Sequence, residues 1–170
     1  GSAMTRNKLG KVFLIKTSDR KDGMRRLLSQ FDLDIHSGNR LAVKANFNSA
    51  DPFPASTHLD ALTAIVKWLK EAGVADVTLA ERSGGGDTRR VFERMGVFDL
   101  SEKLAFNVVV LDEENKDRWM KISKDGTHWL RGFYISKVFL EADKVIQTCC
   151  LKTHRFGGHF TLSLKNSVGI

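Results

Sequence analysis

The sequence has 170 residues, enough for one domain of ordinary size, and its 42% of hydrophobic residues can fill a core without disulfides. Charged residues make up 28% and only two prolines occur, a composition that argues against a disordered chain. The formal net charge of +7 favours an anionic partner, such as a phosphate, a nucleotide, a nucleic acid or an acidic lipid, without choosing among them.

The N-terminal residues, the apolar stretches and the cysteines together predict the cellular compartment of the protein. Gly1–Met4 (GSAM) has the form of an expression scar, so residues 5–170 are taken as one domain. No apolar stretch approaches the ~20 residues of a membrane span, which predicts no membrane partner. Cys149 and Cys150 are adjacent and cannot easily bond to each other, because disulfides need Cα atoms ~4.4–6.8 Å apart. Reduced thiols without a signal peptide predict a cytoplasmic protein.

The first half of the chain alternates strand-like and helix-like segments. Apolar runs predict strands at Lys11–Ser18 and Leu41–Asn48, and helical spacing predicts a helix over Asp19–Asp32. The clearest helix is Ser56–Gly73, with Ser56 or Thr57 as its N-cap and Gly73 as its stop. Its predicted buried stripe is Leu59, Leu62, Val66 and Leu69.

The second half continues the alternation. Strands are predicted at Val74–Ser83, Asn107–Asn115 and Lys144–Cys150, and a hairpin at Trp119–Ile135 around Asp125-Gly126. Short helices are predicted from GGGDT to Met95, at Leu100–Ala105, at Ser136–Asp143 and from FTLSLKNSV onward. This order predicts an α/β fold, a three-layer domain whose mainly parallel β-sheet is flanked by helices, with the hairpin inserted at an edge.

Polar side chains follow three of the predicted strands. Open parallel sheets bind ligands beyond the carboxyl ends of their strands, so these side chains should share one edge. They are Lys44, Asn46 and Asn48, then Thr57 and His58, then Gly84 and Gly85, and finally Lys152, Thr153 and His154. Lysines supply charge, glycines allow close backbone approach, and Asn or Thr can orient an oxyanion. The sequence therefore predicts an anion site at this edge.

Several of these residues have two interpretations. Lys44 would interrupt a buried strand, so it either binds a ligand or forms a structural ion pair with Glu81. The GGGDT stretch either contacts a ligand or is a flexible turn in which Asp87 caps a helix. His58 and His154 are candidates for proton transfer, although histidines at such positions are more often locally hydrogen-bonded.

The tail CCLKTHRFGGH does not have the spacing of a structural metal site, although its two histidines and one of its cysteines could still bind a catalytic metal. Zinc sites use separated pairs such as CxxC, because adjacent side chains of a strand point to opposite faces. An iron–sulfur cluster needs four ligands, usually cysteines, so none is predicted in this chain. Phe156, Phe160 and Trp129 beside basic residues would suit base stacking, but they also fit a core and no nucleic-acid motif is present.

The longest motifs resemble a known family. KANFNS…STHLDALTAIVKWLKEAG…VTLAERSGG, followed by LKTHRFGGHFTLSLKNSVGI, is similar to the bacterial and archaeal family called domain of unknown function 362. Lys44-Ala45-Asn46 stands where that family has Lys-Pro-Asn. Thr57-His58, Lys152-Thr153-His154 and Lys165-Asn166 match its other motifs. The resemblance adds Lys165 and Asn166 to the candidate ligand-binding residues.

The resemblance also implies a context. The family's biochemical role is not generally established, and some members carry a ferredoxin-like segment that this chain lacks. The family domain normally continues past the Leu-Lys-Asn motif, so the chain resembles its N-terminal part. An exposed sheet edge or apolar surface would then favour a homo-oligomer.

Three functions remain open. The first is binding of a small anionic ligand at the carboxyl ends of the strands, with or without catalysis. The second is a redox-partner module that works beside an iron–sulfur protein. The third, on net charge alone, is nucleic-acid binding, which the missing motifs disfavour.

Overall fold

The computed structural model describes residues 10–32, 34–125, 129–154, 158–161 and 166. The helices are α1 (Arg20–Leu28), α2 (Leu59–Glu71), α3 (Thr88–Met95), α4 (Val97–Leu104) and α5 (Lys137–Leu140). The strands are β1 (Arg40–Lys44), β2 (Asp76–Glu81), β3 (Asn107–Val110), β4 (Trp119–Ile122), β5 (Phe133–Ser136), β6 (Lys144–Gln147), β7 (Lys152–His154) and β8 (Gly158–Thr161). None of these helices has the length and apolar character needed to cross a membrane.

Four parallel strands form the main sheet in the order β3-β2-β1-β6, which confirms the predicted α/β fold. Val43 lies opposite Leu79 on β2 and opposite Ile146 on β6. The chain builds outward from β1 through β2 to β3 and then returns to the other side of β1. The direction of winding therefore reverses between β1 and β6, and such a switch point is where open α/β sheets bind ligands.

Both faces of the sheet are covered by apolar packing. Leu41 and Val43 of β1 join the larger core cluster, which includes the buried side chains of α2 and α3. Ala42, between them in sequence, faces the opposite side and packs with Leu111 and Phe139. The alternation follows from the strand period of two residues, and it makes β1 the centre of the layered domain.

Helix α2 has the predicted core stripe but a different N-cap. Leu62, Val66 and Leu69 are fully buried, and Gly73 ends the helical region with φ +85°. The prediction that Ser56 or Thr57 caps the helix was wrong, because their hydroxyls form hydrogen bonds with the loop that follows β1 instead. Nδ1 of His58 caps the helix, accepting the amide of Asp60 at 3.0 Å.

Three other predictions need correction. The segment Lys11–Ser18 is not a strand, because no neighbouring strand in the described part of the chain pairs with it, and Val12 and Leu14 are more than nine-tenths exposed. The predicted hairpin is present as β4–β5, but it forms its own antiparallel ribbon rather than an edge of the main sheet.

The tail also differs from its predicted strand–loop–helix junction. Lys152–His154 pairs antiparallel with Gly158–Thr161, so the start of FTLSLKNSV is a strand. Asn166 is helical, and the rest of the predicted last helix lies outside the described residues.

Candidate functional site

A buried ion pair lies at the carboxyl ends of β1 and β2. Nζ of Lys44 donates to Oε1 of Glu81 at 2.7 Å, and these side chains are only 5% and 1% exposed. Each is the last residue of its strand, and the two strands are neighbours. The structure therefore confirms the Lys44–Glu81 contact considered from the sequence, and it places that contact at the carboxyl ends of the parallel strands.

The ammonium of Lys44 uses all three of its N–H donors on the protein. Besides Glu81, it donates to the carbonyl of Ala45 at 2.9 Å and to Oδ1 of Asn166 at 3.0 Å. A lysine ammonium has three N–H groups, so no donor remains for a ligand in this arrangement. Lys44 therefore pairs with Glu81 and fixes its neighbours at this edge.

Glu81 accepts hydrogen bonds on both of its oxygens. The amide of Arg82 donates to Oε1 at 2.9 Å and the amide of Phe47 donates to Oε2 at 3.3 Å. Burial raises the pKa of Glu81 above its ordinary value, while the charge of Lys44 and these donors oppose that rise. Because all the neighbouring groups are donors, they match an ionised carboxylate, which is acceptor-only.

Asn166 bridges the switch point. Its Nδ2 donates to the carbonyls of Lys44 and Thr148, both at 3.4 Å, while its Oδ1 accepts from Lys44. Thr148 directly follows β6, so one amide side chain joins the ends of the two strands between which the winding reverses. The tail residue that the family resemblance added is thereby brought beside the ion pair.

Asn46 and Thr57 form a closed backbone clamp. The amide of Thr57 donates to the carbonyl of Asn46 at 2.8 Å, and the amide of Asn46 donates back to Oγ1 of Thr57 at 2.9 Å. Thr57 is 2% exposed, so its hydroxyl is committed to this pair of hydrogen bonds and is shielded from solvent. The half-buried side chain of Asn46 makes no hydrogen bond to any residue within the described ranges.

The glycine-rich turn after β2 is packed against the loop after β1. The amides of Gly84 and Gly85 donate to Oδ1 and to the carbonyl of Asn48, each at 3.0 Å. Oγ of Ser83 donates to the same carbonyl at 2.6 Å. The turn is therefore held in place by Asn48, and these two amides are not available to a ligand here.

Close packing explains why glycine is needed at the middle of this turn. We expect Gly85→Ala to lower the free energy of unfolding by about 1–3 kcal/mol, the usual cost of overpacking, since its Cβ would lie 2.9 Å from the Asn48 carbonyl oxygen. Gly86→Ala is the matched control, because a Cβ there meets nothing within 4 Å. Urea denaturation measures both variants, and equal stability of the two would contradict the packing argument.

The segment after β6 packs on the loop that precedes α2. Nζ of Lys152 donates to the carbonyl of Ala55, and Sγ of Cys150 donates to the carbonyl of Ser56 at 3.4 Å. Thr153 is exposed beside them. The backbone of His154 belongs to β7. Lys165 lies outside the described residues.

The two cysteine side chains pack against the protein and are not reactive thiols. Burial raises the pKa of both Cys149 and Cys150, and at Cys150 the nearby charges of Lys152 and Arg20 oppose the rise. A raised pKa keeps a thiol protonated and poorly nucleophilic. Within the described ranges, no three His, Cys, Asp or Glu side chains come together as ligands for a metal ion.

Arg20 is the residue near this edge that sequence reasoning missed. Its guanidinium lies 4.6 Å from the centroid of the Phe53 ring, and that ring meets the His58 ring edge-on at 5.8 Å. The position of Arg20 depends on α1 packing against α2, which no motif encodes. The basic side chains Arg20 and Lys152 thus both approach the loop between β1 and α2.

Comparison with known proteins gives one match. Residues 41–170 match the family model described as Domain of unknown function (DUF362). A search of curated proteins and a search of solved structures each found no match. The matched span includes the ion pair, the glycine turn and Asn166, and it covers well over half of the sequence. The chain therefore belongs to the domain of unknown function 362 family.

Proposed function

We propose that this domain binds a small anionic molecule beyond the carboxyl ends of β1 and β6. The observation that carries the proposal is the buried Lys44–Glu81 pair, linked to Asn166 at the switch point. A buried ion pair is seldom more stabilising than apolar residues of the same size, so stability alone does not account for it. Buried charged groups with altered pKa values concentrate at functional sites.

The residues around the pair have separate roles in this proposal. Lys44 holds Asn166 in place, while Asn46 offers an amide that can donate and accept. Lys152 donates one N–H to Ala55, and among the described residues no other acceptor takes its remaining two, which we propose for the ligand. Where the bound molecule is a substrate, His58 is the candidate for proton transfer, since its Nδ1 accepts from Asp60 and its Nε2 therefore carries the proton of the neutral ring.

A thermal-shift screen with phosphate, pyrophosphate, nucleotides and succinate tests the proposal. A ligand that binds only the folded state at 100 times its Kd adds about 2.7 kcal/mol of stability, so the Tm should rise by several degrees. We expect Lys152→Met to weaken binding about tenfold or more, as for the loss of one charged hydrogen bond. The control is Lys103→Met, which removes an exposed charge at the end of α4, just before β3 and at the opposite edge of the sheet.

The alternatives give different results. If no anion raises the Tm, or if Lys152→Met and Lys103→Met behave alike, anion binding at this edge is wrong. Strongly salt-dependent binding to DNA or RNA of random sequence would instead favour nucleic-acid binding.

A further inference from the structure

We infer that Arg20 of α1 is a second anchor of the proposed ligand and binds its carboxylate or phosphate group through the guanidinium fork. This inference rests on the proposed function, which it deepens by naming the recognised group and the residue that recognises it. Arg20 precedes residue 41, where the family match begins, so the matched region does not include this contact.

The guanidinium of Arg20 is held in position, but its N–H groups donate to no residue that the structure describes. It lies over the Phe53 ring, 4.6 Å from the centroid, a cation–π contact that fixes where the charge sits. Its nearest carboxylate oxygen is Oδ2 of Asp60, at 4.0 Å, which is too long for a hydrogen bond. To the residues that the structure describes, Arg20 donates no hydrogen bond, so its planar fork of N–H groups remains open to a ligand.

Arg20 contacts the loop and the helix start that also carry residues of the proposed site. Phe53, which it covers, also touches the ring of His58. Oδ2 of Asp60 lies 4.0 Å from Nη1 of Arg20 and 3.6 Å from Nδ1 of His58, so the guanidinium and the imidazole ring flank one oxygen. Arg20 contacts Phe53 and Lys152 contacts Ala55, so both basic side chains lie against the loop that precedes α2.

The local charge also suits an anion. Arg20, Lys21 and Lys152 bring three positive charges to this region, and of these Arg20 and Lys21 share Asp60 as their carboxylate. Arginine pairs with carboxylate or phosphate through two parallel hydrogen bonds, which lysine cannot do.

The test compares Arg20→Gln with Arg26→Gln. Arg26 is on the same helix, is exposed, and also lies beside a carboxylate, that of Asp22 at 3.8 Å. Kd values for phosphate, pyrophosphate and succinate are measured by calorimetry on the whole chain. We expect Arg20→Gln to raise the Kd about tenfold or more, as for the loss of a bidentate charged pair, and Arg26→Gln to leave it unchanged. Arg20→Lys should fall between them, because it keeps the charge and loses the fork.

The outcomes separate the two proposals. If Lys152→Met weakens binding while Arg20→Gln matches Arg26→Gln, the role of Arg20 is overturned and the proposed function stands. If no anion binds, both fail. The Tm of each variant without ligand is measured alongside, and a drop for Arg20→Gln without a rise in its Kd would assign Arg20 to folding and overturn its binding role.

Discussion

Replacing Lys44 with methionine is expected to lower the free energy of unfolding by about 3–5 kcal/mol. The reason is that Glu81 would remain buried as an uncompensated charge, 1% exposed and without its ammonium partner. The same substitution removes the donor that holds Oδ1 of Asn166. Chemical denaturation at neutral pH, with the slope checked for two-state behaviour, gives the value.

Two further variants make this result specific. The double variant K44M/E81Q should recover most of the lost stability, because removing both charges abolishes the desolvation cost. Arg25→Gln is the surface control: Arg25 and Asp22 are 2.6 Å apart, as close as the buried pair, but the arginine side chain is 71% exposed. An exposed pair contributes about 0–1 kcal/mol. Equal losses for Lys44→Met and Arg25→Gln would mean that burial of the Lys44–Glu81 pair does not matter.

Phe47→Ala is expected to cost about 3–5 kcal/mol, the usual loss for emptying a large core position. Phe47 is fully buried directly beyond β1, and its ring meets that of Phe92 edge-on with centroids 5.8 Å apart. Its amide also donates to Glu81, so a shift of the backbone there would disturb the carboxylate of the ion pair. Thermal and urea unfolding measure the loss.

Phe31→Ala is the matched control for Phe47→Ala. Phe31 follows α1, is 44% exposed, and contacts the ring of Phe13 at 5.2 Å. We expect its loss to be about 1 kcal/mol or less, as for surface substitutions in general. If Phe47→Ala costs no more than Phe31→Ala, then the loop after β1 does not share the core that supports the candidate site.

Local patterns in the sequence predicted the sheet well, because its strands are buried apolar runs separated by amphipathic helices. They failed at Lys11–Ser18, where an equally apolar run finds no partner strand among the described residues. Strand formation depends on a neighbour that propensity does not reveal. The same limit explains β7 and β8, since GGH reads as a loop although its second glycine begins a paired strand.

The candidate site was predicted as a set of residue types but not as a set of contacts. Lys44 and Glu81 could be paired from the sequence because each ends a neighbouring strand in a parallel sheet. The bonds from Gly84 and Gly85 to Asn48 could not, since they depend on how two loops meet. Nothing in the sequence predicted the contact of Arg20 with Phe53, because that contact depends on how α1 packs on α2.

The contact between Lys44 and Asn166 joins residues 122 positions apart. Closing so long a loop costs more chain entropy than pairing β1 with β2, and contacts of that kind form late in folding. β1 and β2 can therefore pair before β6 and the amide bridge across β1 and β6 are in place. A ligand that contacts both β1 and the residues after β6 would compensate for part of this entropy, so its binding would stabilise the contact between Lys44 and Asn166.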